Sequence, residues 1–339
     1  MVTIKEIAQQ ANLSIGTVDR VLHGRGDVSK EAEKKIKAII KKTGYKTNIH
    51  ARNLVIRAAH ELGVILPIPH QDGGYWEMLQ KGIDQAINEL VSFNIHRRYF
   101  FFDKYSEDSF REAGRSALEK NPAGLIIAPL LSDTCRLFVK SIPPEIPYLY
   151  VDSTIPDTQP LAVIGQNSYQ SGICGAQLME MILGKKGSVV CLRILPNNFH
   201  INERVRGFLS HYGTGANIHV FEADGSWSND EFTGLIASVN KKVPDFQGIF
   251  VTNAETHRVV KALRSLKITG KRVIGYDCIE ENKRFVEEGA IDFIISQNPE
   301  KQGYTGINTL YRHLVLNETC TSKVYMPIDI VIAGNLANY

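Results

Sequence analysis

The stretch TIKEIAQQANLSIGTVDRVLHG, residues 3–24, decides the architecture of the N-terminal end. Ile4, Ile7 and Ala8 fall on one helical face, and Val18, Val21 and Leu22 do the same in a second segment. Asn12-Leu13-Ser14 breaks the period between them. Ser14 is placed to cap the second segment by accepting a hydrogen bond from a free backbone N–H. Two short helices across so tight a turn make a helix-turn-helix, whose second helix can lie in a DNA major groove. The amphipathic pattern taken alone suits an ordinary helical hairpin equally well.

Charge favours the DNA reading. Residues 1–58 hold 12 Lys/Arg against 5 Asp/Glu, net +7, while the remainder holds 27 against 31, net −4. A phosphate backbone attracts a basic head on an acidic body, although a solvated lysine face produces the same count. Residues 29–43 form a third helix with Ile36, Ile39 and Ile40 inward and its lysines in solvent, ended by Gly44 as a C-cap.

At this point a resemblance becomes specific. The runs VTIKEIAQQANLSIGTVDRVLHG (2–24) and VSKEAEKKIKAIIKKTGYKTNIHARNL (28–54) resemble the DNA-binding head of the lactose-repressor (LacI/GalR) family of bacterial transcription factors. The matches, in order, are T-I-x-[DE]-[IV]-A, T-V-x-R-V-L, V-S, G-Y and A-R-x-L. The resemblance implies that Ile15, Gly16 and Arg20 sit where the family reads base edges. A guanidinium at Arg20 can bond guanine O6 and N7 together, and Ile15 can touch a thymine methyl. Gly16 offers no side chain, so direct readout is sparse there. Thr17, Ser29 and the backbone from His23 to Gly26 take phosphate contacts, which position without specifying. Asp19 replaces the commoner serine and either orients Arg20 or accepts from cytosine N4.

Residues 47–54, TNIHARNL, resemble the family's hinge helix. There Asn48 and Ala51 lie in the minor groove and Leu54 holds the place of a leucine wedge that kinks DNA. Thr47 stands where the family commonly places a proline, and threonine serves there as a cap. A helix this short is marginal alone, so it should fold only with DNA and a partner present.

From Leu62 the pattern changes to short apolar runs alternating with helical stretches. Strand candidates are LGVILPI, RRYFFF, AGLIIAPLL, PYLYVD and LAVIGQ, then GSVVCLRIL, NIHVFEA, GIFVTNA, RVIGYDC and IDFIISQN. Helical stretches lie at 75–93, 169–183 and 299–316. Buried strands alternating with helices predict parallel sheets covered on both faces. Ten strands suit two doubly wound lobes with a ligand cleft between them, the break falling near residues 184–187.

This region is similar to the periplasmic binding protein-like type I fold that the repressor family uses as its sensor. The chain is thus an α/β protein with a small all-α head. The domains are the head at 1–46, the hinge and linker at 47–58, and the effector-binding and dimerisation domain at 59–339. The resemblance places Tyr75-Trp76 at the first strand's exit, where the rings stack on a sugar. It also places Asp152, Gln166, Arg204 (in R-x-x-G-[FW]), Trp227, Asn253, Asp277 and Gln297 around the cleft. Sugar hydroxyls donate and accept, so carboxylates, amides and arginine pair with them while aromatics cover apolar faces. Each such residue has a plainer reading: Asp152 and Asp277 as caps, Trp76 and Trp227 as core. What groups them is that nearly all lie at strand C-terminal ends. Gly73 and Ala128 stand where pentose-binding relatives place asparagines, which points away from a ribose-like ligand.

These readings describe a sequence-specific transcriptional regulator whose operator affinity is set by a small ligand, a sugar or sugar derivative, in the cleft. Its partners are duplex operator DNA, that effector and a second copy of the chain, with no cofactor, no metal and no membrane. The absence of a heptad tail before Tyr339 favours a dimer over a coiled-coil tetramer. No G-x-S-x-G, metal cluster, phosphate loop or GxGxxG supports an enzyme. The alternative is a transport-type sugar-binding protein, which the basic head and the lack of a signal-peptide core oppose. Cys135, Cys174, Cys191, Cys278 and Cys320 are scattered without ligand spacing, as reduced core thiols of a cytoplasmic protein are. A fragment spanning residues 1–53, without Leu54, should bind operator much more weakly than the intact protein and bend it less. Equal affinity and equal bend in a gel-shift series would overturn the wedge.

Overall fold

In the computed structural model, residues 4–22, 28–43, 59–184, 187–195, 197–213 and 217–339 are described. They belong to two compact units, Met1–Arg57 and Ala58–Tyr339. No described helix is long and apolar enough to cross a membrane.

The first unit holds α1 (Ile4–Ala11), α2 (Ile15–Leu22) and α3 (Lys30–Thr43). Asn12 takes left-handed backbone at φ 53°, and Ser14 Oγ accepts the Thr17 N–H at 3.1 Å, so the tight turn is made as the sequence predicts. Ile7, Ala8, Ala11, Val18 and Ile36 are buried together, with Leu13, Val21, Ile39 and Ile40 packed around them. Ser29 caps α3 from outside, accepting the Ala32 N–H at 3.3 Å, so the helix proper starts one residue later than its pattern suggests.

In the second unit the first sheet contains β1 (His60–Pro67), β2 (Ile95–Phe102), β3 (Gly124–Ile127), β4 (Tyr148–Val151) and β5 (Ala162–Gln166). The second contains β6 (Val189–Ile194), β7 (Ile218–Ala223), β8 (Gly248–Val251), β9 (Arg272–Tyr276) and β10 (Phe293–Ser296). All ten expected strands are present. Two short ones follow them: β11 (Lys323–Met326) joins the first sheet beside β5, and β12 (Asp329–Val331) joins the second beside β10. The sheet orders are β11-β5-β4-β3-β1-β2 and β12-β10-β9-β8-β6-β7, one topology used twice. All pairings are parallel except β12 with β10.

Helices α4 (Tyr75–Glu89), α5 (Glu107–Glu119) and α6 (Ser132–Val139) cover the first sheet. The second is covered by α7 (Ser168–Leu183), α8 (Phe199–Tyr212), α9 (Asn229–Lys242), α10 (Thr256–Ser265) and α11 (Glu280–Glu287). Helix α12 (Pro299–Leu314) returns to pack on α4. The chain therefore crosses between lobes three times, after Gln166, after Ser296 and after Met326. The expected break at 184–187 is corrected to the first crossing. Ala176 and Met179 of α7 already share a core with Val189, Cys191, Phe250 and Ile274, so the chain on both sides of the glycine-flanked stretch belongs to the second lobe. All five cysteines are free; Cys135, Cys191 and Cys278 are buried, whereas Cys174 and Cys320 are half-buried rather than core.

One close helix crossing locks each lobe. A methyl on Gly82 would overlap the Glu300 carbonyl, and one on Gly303 the Leu79 carbonyl, so α4 and α12 touch backbone to backbone. The second lobe repeats the device: Gly172 lies against the Arg204 carbonyl and Gly207 against that of Tyr169, which fixes α8 on α7. Gly207→Ala should destabilise the protein by about 1–3 kcal/mol in urea unfolding, since overpacked backbone has nowhere to move. Gly234, exposed inside α9 with nothing within 4 Å, supplies the control. Gly234→Ala should gain about 0.5–1 kcal/mol from helix propensity alone. Equal effects at the two positions would refute the close-contact account.

Candidate functional site

Every carboxylate and ring of the site is set by a strand end or a helix start. Asp152 follows β4 and Asp277 follows β9, at matching places in the two lobes. Both adopt left-handed backbone, φ 70° and 68°, and both donate their N–H to the neighbouring strand, at Ile164 and Ile295. That conformation, tolerable for aspartate, turns each side chain off the strand axis into the space between the lobes. Tyr75 and Trp76 open α4 behind a left-handed Asp72-Gly73-Gly74 turn, their rings edge-to-face at 5.0 Å and 87°. Arg204 projects from α8 three residues before Gly207.

These groups line one deep chamber, with Asn253, Gln297, His200 and Asp72. The Tyr75 hydroxyl donates to Asp152 Oδ1 at 2.7 Å, and the Trp76 indole N–H donates to Asp72 Oδ2 at 2.8 Å. Arg204, 1% exposed, stacks its guanidinium 3.9 Å from the Tyr276 ring centre and donates to the Thr252 carbonyl at 2.6 Å and to Gln297 Oε1. Gln297 in turn donates to both Asp277 oxygens, at 2.9 and 3.1 Å. The chamber measures about 30 Å³, room for one or two waters. At its mouth the lobes touch: a methyl on Gly73 would strike Ile279. Outward it opens, past shared Leu130, Leu195 and Asn198, into a vestibule of about 650 Å³.

Seven of the nine expected ligand residues meet in this chamber. The other two do not reach its wall. Trp227 packs on the second lobe's core and faces the vestibule. Gln166 is a hinge residue: its Nε2 donates to Ser296 O at 3.0 Å and Pro327 O at 3.1 Å, joining all three interlobe crossings. Sequence reading missed His200 and Asp72. His200 precedes Arg204 by four residues, one helical turn, so it shares that face. Asp72 opens the turn before the aromatic pair, where it also pairs with Lys104, another buried charge.

Burial dominates the electrostatics. It pushes Asp152 up to about 6 and Asp277 up to about 7, although Arg204 pulls both down, as do the Tyr75 hydroxyl on Asp152 and the Gln297 amide on Asp277. Burial, then the Arg204 charge, holds His200 well below the usual histidine range, so it is neutral at pH 7. Burial and the two aspartates raise Tyr75, which stays a donor. Three buried side-chain atoms of the chamber residues have no partner: Asn253 Nδ2, Arg204 Nε and His200 Nδ1.

In the head, Ile15 (51% exposed), Gly16 and Arg20 are exposed on α2, and Thr17 is half-buried with its hydroxyl 2.8 Å from Ser14 Oγ. This leaves the expected reading face of α2 open to solvent. Ser29 is also exposed, with its hydroxyl used as a cap. His23, Asn48, Ala51 and Leu54 lie outside the described residues.

Residues 63–318 match the family model of the periplasmic binding protein domain, and residues 3–48 match that of bacterial regulatory proteins, lacI family. The HTH-type transcriptional regulator MalR of Streptococcus pneumoniae is 26% identical over 233 residues, 66% of this chain and 67% of that one. A solved structure assigned to a LacI transcriptional regulator from Bacteroides fragilis superposes with a TM-score of 0.78 and 28% identity, covering 83% of this chain and 100% of that one. The sugar-binding protein of a sugar ABC transporter from Bacillus halodurans gives 0.70 and 25%, with the same coverage of 83% and 100%.

The raised carboxylates carry a stability signature. Between the unfolded value near 3.8 and the native values of about 6 and 7, the folded chain holds protons that the unfolded chain has lost. Stability from these groups is thus complete at low pH and is lost as pH rises through 6 and 7. Asp277→Asn removes one of them, so the unliganded variant should gain on the order of 1–3 kcal/mol at pH 8 relative to its gain at pH 5. Urea unfolding across that range measures it; a pH-independent difference from wild type would contradict the assignment.

Proposed function

We propose, for a chain that belongs to the lacI family of bacterial regulatory proteins and carries a periplasmic binding protein domain, that a neutral sugar held in the interlobe chamber controls operator affinity. The chain is a DNA-binding transcriptional regulator; the proposal concerns what the regulator senses and which residues sense it. The observation that carries it is the pairing of unpartnered buried donors with buried carboxylates in one chamber. Asn253 Nδ2 and Arg204 Nε ask for acceptors, whereas Asp152 and Asp277 ask for donors. A hydroxyl answers both, and adjacent hydroxyls on one ring answer several at once. The edge-to-face Tyr75–Trp76 pair supplies an apolar wall for the ring's C–H face.

Charge narrows the class. Asp72 is paired with Lys104, which leaves Arg204 facing both Asp152 and Asp277. The chamber is therefore neutral to negative and disfavours sugar phosphates and sugar acids, whose charge would meet buried carboxylates. Ile15, Gly16, Thr17 and Arg20 read or position operator DNA from α2, with Ser29 at the phosphate, and two copies of the chain bind a near-palindromic site. The lobes are in contact around a chamber too small for a ring, so a sugar enters only when they part, and its effect comes from favouring one lobe arrangement over the other.

Thermal unfolding against neutral mono- and disaccharides, sugar acids and sugar phosphates tests the reading, with gel shift on operator DNA as the second readout. A neutral sugar should stabilise the wild type and change operator affinity. Asp277→Asn and Arg204→Met should abolish both responses while leaving ligand-free DNA binding intact. Stabilisation by sugar phosphates alone, or a response unaffected by both substitutions, would overturn it.

A further inference from the structure

A second cavity, of about 240 Å³, lies on the hinge side of Asp152. It is separate from the effector chamber, and the two share Asp152 and His200, whose side chains stand 4.0 Å apart as the wall between them. Ser153 and Thr154 line it from the loop after β4, Tyr325 from β11, Phe199 from α8 and Gln166 from the first crossing. It therefore touches the first lobe, the second lobe and the hinge.

Two polar side chains on its wall are more than nine-tenths buried and each has one atom without a partner. Gln166, 5% exposed, spends its amide N–H groups on the Ser296 and Pro327 carbonyls and leaves Oε1 unanswered. His200, 7% exposed, leaves Nδ1 unanswered. A neutral imidazole that points Nε2–H at the Asp152 carboxylate has an acceptor at Nδ1. Both orphans are then acceptors, in a cavity that also carries the Asp152 and Glu203 carboxylates. Glu203 is engaged by Arg206 at 2.5 Å, and Lys323 lies exposed at the rim. Phe199 and the exposed ring of Tyr325 supply apolar surface. Buried orphan acceptors beside carboxylates and aromatic rings select a donor-rich, uncharged molecule with an apolar face.

We infer that this hinge-side cavity is a second small-molecule site, distinct from the interlobe chamber, that takes a neutral polyol or a single sugar ring. Its volume is just under the roughly 300 Å³ of the smaller known ligand pockets, which suits one ring and not two. An occupant bonded to Gln166 Oε1 and packed on both Thr154 and Phe199 spans the hinge, so it biases the lobe arrangement from behind while the effector acts from in front. The inference does not depend on which ligand fills the chamber.

The test uses D-xylose, D-glucose, D-mannitol and myo-inositol as probes in thermal unfolding of the full chain and two variants. Asn253→Leu disables the chamber, and Thr154→Trp fills the hinge cavity, which Thr154 lines without lining the chamber. At least one probe should raise the wild-type Tm, by about 5 °C at a hundredfold excess over its Kd. For that probe the rise should persist in Asn253→Leu and vanish in Thr154→Trp. If Thr154→Trp does not fold, Tyr325→Ala, at a 55% exposed position, replaces it and should weaken the retained binding about tenfold. The inference is overturned if no probe binds, or if every rise is lost in Asn253→Leu, or if none is reduced by the hinge-side substitution. The chamber reading fails on a different result, the absence of any rise sensitive to Asn253→Leu.

Discussion

One buried guanidinium organises the sensor. Arg204 lies flat on Tyr276, is tied to the Thr252 carbonyl and to Gln297, and faces aspartates from both lobes. Burying a charge so completely is costly unless it is paired and hydrogen-bonded, and two carboxylates for one cation still leave the balance negative. The surroundings are built to hold this arrangement. Gly207, one turn further along α8, lets the helix sit directly on α7, and His200, one turn earlier, separates the chamber from the hinge. A helix standing even one methyl further out would carry the guanidinium away from Tyr276 and Gln297. The close crossing and the polar site are thus one structural requirement.

The second requirement is that two lobes stay in register across three chain crossings. Their sheets have the same strand order, and each passes its chain to the other at the end of a strand beside an aspartate-bearing neighbour. The three crossings converge on Gln166, whose amide holds the carbonyls of the other two. Hinges absorb motion in a few residues at element ends, and an amide bonded to backbone at both crossings keeps those ends together as the angle changes. Gln302 serves the same junction from α12, accepting the Asp152 N–H and donating to the Tyr75 hydroxyl and the Gln297 carbonyl. Gln302 thus bonds chamber residues beside the crossings that Gln166 ties together.

Much of this was legible in the sequence because buried parallel strands are written as continuous apolar runs, and all ten such runs became strands. What was not legible has physical reasons. Strands β11 and β12 are short and partly exposed, and their apolar residues are split by Pro327 and Asp329, so they form where the chain returns to each sheet edge. Gly184 and Gly187 mark a lobe boundary by composition, but a strand-to-helix crossing needs no glycine, and Gln166-Asn167-Ser168 carries no linker composition. Residues at strand ends were found by position; those that depend on helical phase, such as His200, or on a distant partner, such as Asp72 with Lys104, were not. Gln166 reads from sequence as a cleft residue, yet its partners lie about 130 and 160 residues away, so its place as a tie between the crossings is visible only in three dimensions.

The closed chamber sets the terms on which a ligand could bind. With about 30 Å³ available, the polar walls are answered mostly by one another: Tyr75 by Asp152, Arg204 by Gln297, Gln297 by Asp277. On the proposed reading, a ligand must break some of these bonds and part lobes that are already in contact, so its affinity is a difference between what it makes and what the protein already has. Two orphan atoms, Asn253 Nδ2 and Arg204 Nε, are what the chamber cannot answer by itself. A molecule that satisfies them gains most, and one that only replaces existing bonds gains little. Selectivity and switching therefore have one origin, since a ligand moves the equilibrium only by the interactions that one lobe arrangement offers and the other lacks.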